Sequence, residues 1–290
     1  MTIIAASAAR SVSATAVLSL DGADITSITS YRKNESDFMT EGGFEPWHAY
    51  SFRVQIKKNT FYQELRAVSN GDGPLHWIAG ASYLRAEFDG GLASNFLAPV
   101  GPFVPAGATK YVVNNWSAFA QLNYDVTDNL NLMVGGRFID ETNNAVFKPT
   151  GVKYPLHESK FLPSATIKYS LDGGGNIYAR WARGFKAGGV VPVSNLAVFP
   201  DPFTQGGIFK GEEIDTFELG VKTPLAGNRV NLTAAVFYND YRNVQITGHV
   251  TPAFQSQIAL TVINAGSART YGAELGLNAR VSPALTVGAT

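Results

Sequence analysis

Apolar and polar residues alternate along much of this chain with a period of two. Trp116, Ala118, Ala120, Leu122 and Tyr124 interleave with Ser117, Phe119, Gln121 and Asn123, so an extended backbone would turn one wholly apolar face outward from the other. The same pattern sets Leu130, Leu132, Val134, Gly136 and Phe138 against Asn131, Met133, Gly135 and Arg137. It recurs in Val230 to Asn239 and in Tyr271 to Val281. Shorter alternation marks residues 12–20, 23–33, 59–69, 75–85, 161–169, 176–185 and 213–223. Together these segments predict about twelve strands, each near ten residues.

The punctuation between them is uneven. Asp21-Gly22, Asn70 to Pro74, Asp125 to Asn129, Asp172 to Gly175, Pro224 to Asn228 and Val281 to Pro283 are short, and most are built from residues suited to tight turns. Polar or Gly/Pro-rich stretches at 34–58, 86–112, 141–160, 186–210 and 242–262 read as long loops. Hairpins with short turns at one end and long loops at the other, apolar on one face only, match the requirements of an antiparallel up-and-down transmembrane β-barrel. A bilayer offers no water to an open sheet edge, so a spanning sheet has to close and has to be apolar outside. Aromatics gather near the predicted strand ends, at Tyr31, Phe61, Tyr62, Tyr83, Tyr124, Phe138, Tyr169, Trp181, Tyr238 and Tyr271, where amphipathic rings would lie at head-group level. A soluble carbohydrate-binding β-sandwich and a passive porin also fit the alternation and remain alternatives.

Composition narrows the function. Charged residues make up 16% of the chain, well below the roughly 25% of soluble domains. With 23 basic and 23 acidic residues and no basic stripe, there is no field to attract nucleic acid. The absence of cysteine excludes disulfides and thiolate chemistry. No apolar run approaches the roughly 18 residues of a membrane helix, and Met1 to Ala16, which lacks a basic start, reads as a strand or a ragged beginning. His48, His76, His157 and His249 are scattered, and no nucleophile elbow, phosphate loop or metal motif is present. The expectation is a protein without enzymatic activity, metal or cofactor.

A more specific signal lies in ordered motifs. Phe61 to Arg66 with Leu75 to Gly80 resembles a hairpin in the barrel of TonB-dependent outer-membrane receptors. Further matches follow in the family's order: Ala118 to Gln121 with Gly135 to Arg137, Ile177 to Arg180 with Arg183 to Gly189, Glu212 to Lys222, Phe237 to Tyr241, and Asn264 to Gly266 with Tyr271 to Glu274. The resemblance implies a 22-stranded barrel of the Gram-negative outer membrane, enclosing an N-terminal plug. Such a receptor imports a scarce nutrient, commonly a ferric siderophore, with energy from the TonB complex. On that reading residues 1–290 are a segment of the barrel without the plug, the TonB box or the closing strands, about twelve of the 22. The implied partners are outer-membrane lipid, an extracellular nutrient, and TonB acting through the missing plug.

Two sets of residues are candidates for contacts. Glu64, Arg66, Arg137, Arg180, Glu218, Lys222, Glu274 and Arg280 share the register of the polar face, which would line the lumen. There they would pair with the plug, guide an anionic ligand, or pair across neighbouring strands. Loops on rigid scaffolds commonly carry recognition. The aromatic and imidazole groups of Trp47, His48, Tyr50, Phe103, Phe199 and Phe203 are therefore the candidate ligand contacts.

Overall fold

A computed structural model describes residues 3–42, 50–95, 104–148, 151–190, 208–227, 229–250 and 259–290. The strands in chain order are β1 (Ile3–Leu20), β2 (Ala23–Gly42), β3 (Tyr50–Ser69), β4 (Leu75–Asn95), β5 (Val104–Asp125), β6 (Leu130–Phe147), β7 (Val152–Ser170) and β8 (Asn176–Lys186). After these come β9 (Gly189–Val190), β10 (Ile208–Phe209), β11 (Glu212–Leu225), β12 (Val230–Arg242), β13 (Gln245–Val250), β14 (Ala259–Asn264), β15 (Ser267–Ser282) and β16 (Leu285–Ala289). Twelve strands form one antiparallel sheet in the order β1-β2-β3-β4-β5-β6-β7-β8-β11-β12-β15-β16, while β9 with β10 and β13 with β14 make two-stranded sheets. Among the described residues no second large sheet covers either face, so the β-sandwich alternative falls.

The register turns the period-two pattern into two unlike faces. Leu65, Ala81, Ala118 and Phe138 lie opposite one another along one chain of pairs, and Ile167, Ala179, Leu219, Val236 and Ala273 lie along another. Among the described residues nothing covers this face: Trp116 is 59% exposed, Phe161 61% and Tyr271 79%. The chain's accessible surface of 18215 Å² is about half as much again as the roughly 12,000 Å² expected of a compact soluble protein of this mass. A single sheet that leaves large apolar side chains uncovered is stable only where the medium itself is apolar.

The apolar face has a sharp upper edge. Tyr31, Phe61, Tyr83, Trp116, Phe138, Phe161, Trp181, Phe217, Tyr238 and Tyr271 form a row of one aromatic per strand of the large sheet from β2 to β15. Direct pairs link Tyr31 to Phe61, Tyr83 to Trp116, Phe138 to Phe161, Trp181 to Phe217, and Tyr238 to both Phe217 and Tyr271. The Tyr83 and Trp116 rings are 4.3 Å apart between centroids, a contact of a kind that adds about 0.5 to 1.5 kcal/mol beyond burial. Two residues further up every strand, the same face becomes polar, at Lys33, Asn59, Arg85, Asn114, Asp140, Ser159, Arg183, Asp215, Asp240 and Arg269. A sparser lower edge carries Trp77, Tyr124 and Tyr169. Trp116 to Tyr124 is about 26 Å along the strand, and strand tilt reduces this to about 20 Å of height, close to the apolar band of an outer-membrane barrel. Tyr62, expected in the belt, instead projects from the opposite face, because it neighbours Phe61 and successive side chains alternate.

Strand length departs most from the sequence-based expectation. Apart from the five-residue β16, the strands of the large sheet have 11 to 22 residues rather than about ten. Residues 34–42, 50–58, 86–95 and 104–112 continue as strands; β6 runs on to Phe147 and β7 starts at Val152, and Gly151, with φ 71, donates its amide to the Phe147 carbonyl. Above the aromatic row both faces of the sheet meet water, so the apolar alternation that marks a strand disappears although the ladder continues. Side-chain pairs along the sheet support the ladder there, as where Arg53 donates from Nε and Nη2 to the Asp37 carboxylate and Gln55 adds a third donor.

The Arg53 guanidinium, with help from Gln55, holds the Asp37 carboxyl down at about 2 from its ordinary 3.8. Since the folded value lies below the unfolded one, whatever this contact adds to stability is present above pH 3.8 and disappears as pH falls through about 2. Arg53→Gln is expected to return the Asp37 midpoint toward about 4, and infrared titration of 13C-labelled aspartate would register the move.

Candidate functional site

The polar face gathers its charges into two clusters. In the first, on β3 to β6, the Tyr62 hydroxyl donates to Glu64 Oε2, and Arg66 Nη1 donates to Glu64 Oε1 at 3.4 Å. Arg137 Nη2 donates to Ser117 Oγ at 2.7 Å and to Ser82 Oγ at 3.4 Å, and the two buried serine oxygens are 2.8 Å apart. The Arg137 guanidinium also stands over the Phe119 ring, 5.6 Å from its centroid. Hydroxyls and a π face hold this cation in place without neutralising it.

The second cluster lies on β8, β11 and β15. Tyr178 donates its hydroxyl to Glu218 Oε1 at 2.5 Å, and Lys222 sits 5.6 Å from the centre of the Tyr178 ring. The Tyr178 ring occupies space left by Gly220, where a Cβ would stand 2.5 Å from it. Arg180 lies directly opposite Glu218 in register, yet Glu218 takes the phenol. Among the described residues Arg180 and Glu274 have no hydrogen bond or ion pair. The geometry therefore differs from simple charge pairing across strands: the ion pair of Glu64 and Arg66 lies within β3, Arg137, Glu218 and Lys222 meet hydroxyls or rings, and Arg180 and Glu274 do neither. A wall of this kind offers both free cations and anchored carboxylates to whatever packs against it.

A third arrangement ties down the upper connections. Glu158 on β7 accepts hydrogen bonds from the Gly188 amide at 2.7 Å and the Gly211 amide at 2.8 Å, so one carboxylate holds both flanks of the β9 and β10 segment. Gln245 Nε2 donates to the Ala187 and Lys210 carbonyls, at 2.9 and 3.1 Å. Asn264 accepts from the Lys210 amide at 2.7 Å and donates to the Lys210 and Asn243 carbonyls, both at 2.9 Å. The stems that lead into the connections β9 to β10 and β13 to β14 are thus one hydrogen-bonded plate. Glu158→Ala removes two charge-assisted bonds and is expected to speed amide exchange at residues 186–190 and 208–212 by about ten- to a hundred-fold. Hydrogen-exchange mass spectrometry resolves those peptides, and unchanged protection would mean that the carboxylate is dispensable.

Of the candidate ligand contacts, Tyr50 is the first residue of β3, while Trp47, His48, Phe103, Phe199 and Phe203 lie outside the described residues. Ser82, Ser117 and Tyr178 were open to recognition from their shared register with Arg137 and Glu218. Glu158 was hidden in a stretch whose composition suggested a loop. Among the described residues no group of three or more His, Asp or Glu could hold a metal ion.

The β-barrel model described as TonB dependent receptor-like matches residues 6–290. The pesticin receptor of Yersinia enterocolitica is 26% identical over 235 residues, covering 78% of this chain and 32% of that protein. The ferric-pyoverdine BN7/BN8 receptor of Pseudomonas putida is 27% identical over 153 residues, 51% of this chain and 18% of that one. Among solved structures, the ferric yersiniabactin uptake receptor FyuA from Yersinia pestis superposes with a TM-score of 0.72 at 19% identity, over 97% of this chain and 41% of its own. The copper transporter OprC gives 0.73 at 13% identity, over 96% and 44%. The chain spans about a third of the length of the pesticin receptor.

Proposed function

This chain belongs to the TonB-dependent receptor β-barrel family, and from that premise we propose that it builds part of the wall of an outer-membrane receptor that imports a scarce nutrient, foremost a ferric siderophore. The observation that carries the reading is the two-faced sheet over the residues that match the family model. Its apolar, aromatic-edged face suits lipid and its polar face suits a lumen. The family's members are transport receptors, and no covalent chemistry is asked of these residues. The name of the ferric-pyoverdine receptor supports an iron-linked ligand.

In this reading the polar face meets a plug domain supplied by parts of the receptor outside these residues, and TonB pulls on that plug. Glu64, Arg66, Arg137, Arg180, Glu218 and Glu274 are the wall groups available to it. Ligand first meets the upper rim, where Tyr50 opens β3 and the sequence between strands carries Trp47, His48, Phe103, Phe199 and Phe203. The hydrogen-bonded stems around Glu158 give a fixed base to the connection that carries Phe199 and Phe203.

The test is growth on chelated medium of a siderophore-receptor-deficient Gram-negative strain, supplied with single ferric siderophores and expressing the intact receptor, with and without a functional tonB gene. Growth on at least one siderophore that requires both the receptor and tonB is the expected result. Uptake that persists without tonB would favour the passive porin instead.

A further inference from the structure

The apolar face is not uniform. On the outside of β6, β7, β8, β11 and β12 it sinks into a groove of about 630 Å³, within the range of ligand pockets. Its floor is made of the small residues Ala165 and Ala179, and Leu219 borders it. The dent exists because Ala179 lies opposite both Ile167 and Leu219 in register, leaving a short side chain between two long ones. Trp181 and Phe217, of the aromatic row, close its upper end.

Directly above that end Arg183, Glu213, Asp215 and Arg242 cluster on the same face, and Lys160, beside Phe161 on β7, reaches Glu213 from the alternate position. Arg183 donates from Nε and Nη2 to Asp215, both at 3.0 Å. Arg242 Nη2 reaches Asp215 at 2.9 Å and Glu213 at 3.1 Å, and Lys160 Nζ lies 2.5 Å from Glu213. The Trp181 indole N–H, at 3.3 Å from Asp215, joins the cluster to the groove below it. Neighbouring cations hold both carboxyls below their ordinary values, so three cations face two carboxylates and one positive charge is left over. Guanidinium has five N–H donors. Nη1 of Arg183, and Nε and Nη1 of Arg242, have no hydrogen-bond partner among the described residues.

We propose that this place is a lipid site: acyl chains of one lipid lie in the groove, and its anionic, phosphate-bearing head group is bound by the unused donors of Arg183 and Arg242. The inference rests on the membrane-spanning reading above. The vertical order matches the order of groups in a phospholipid, with apolar side chains below the row of rings and spare cationic donors just above it. A planar fork with free N–H groups suits phosphate oxygens, and the left-over positive charge favours a head group of net negative charge over a zwitterionic one.

Native mass spectrometry of the intact receptor in detergent, titrated with phosphatidylglycerol, phosphatidylcholine or inorganic phosphate, reads the site. Phosphatidylglycerol is expected to be retained about ten-fold more strongly than phosphatidylcholine. Arg242→Gln is expected to erase that preference, and it leaves Asp215 paired with Arg183 and Glu213 with Lys160. Ala179→Leu, which fills the groove without touching a charge, is expected to weaken both lipids. Equal retention of the two lipids by the unaltered receptor overturns the proposal. So does full displacement by inorganic phosphate that Ala179→Leu leaves unchanged, since that describes a soluble-anion site. A receptor that is monodisperse without detergent overturns the membrane reading itself, a distinct failure.

Discussion

Val134→Arg is expected to destabilise the intact receptor by about 2 to 4 kcal/mol in lipid vesicles. Val134 is midway between the aromatic row at Phe138 and the lower edge of the sheet, and it is 52% exposed on the apolar face. A guanidinium there can reach neither the head groups nor a carboxylate without distorting the wall. Met133→Arg is the matched control, one residue away on the polar face, where the new charge meets the lumen; it is expected to cost well under half as much. Urea unfolding followed by tryptophan fluorescence measures both. If the two variants lose equal stability, the assignment of faces is wrong, whatever the family.

A second large effect is expected at the β7 to β8 turn. Gly175 has φ +86, and a Cβ there would overlap the Lys222 carbonyl oxygen and stand 2.6 Å from Thr223 Cα. Gly175→Ala therefore meets a left-handed backbone, at about 1 to 3 kcal/mol, and a collision with backbone that cannot swing aside, at about 1 to 3 kcal/mol more. Gly22 shares the dihedral, at φ +88, but has nothing within 4 Å of its would-be Cβ. Gly22→Ala is expected to cost only about 1 to 2 kcal/mol. The difference between the two alanine variants isolates the packing component in the same unfolding assay, and equal losses would place the strain in the dihedral alone.

The membrane-facing half of the wall was legible in the sequence because the bilayer imposes a contrast on it. Wherever Leu, Val or an aromatic alternates with Ser, Asn or Gly, as from Trp116 to Tyr124, the strand, its register and its two faces follow. Above the row of rings that contrast is gone. Lys57 and Lys58, or Asn143 and Asn144, are polar on both faces, so the ladder there leaves no trace in hydropathy. Tyr62 shows a finer limit: two aromatics in succession cannot both face lipid, and only the phase of the whole strand decides between them. The pairing of Glu64 with Arg66 is at least compatible with their spacing. Nothing in the spacing of Glu158, Gly188 and Gly211 announces that one carboxylate joins them, since the contact depends on how strands more than twenty residues apart are stacked.

In the large sheet, strands joined through the short turns are always immediate neighbours, and no strand is threaded between distant ones. A wall built this way is modular in descent as well as in form. A hairpin can be gained or lost, changing the circumference by two strands, without rerouting any other connection. An upper connection can also diverge freely as long as the two strands beneath it keep their register. Specificity can therefore drift at one rim while the lipid-facing residues stay under constant selection, so relatives of this chain are expected to share its row of rings long after their cargo has changed.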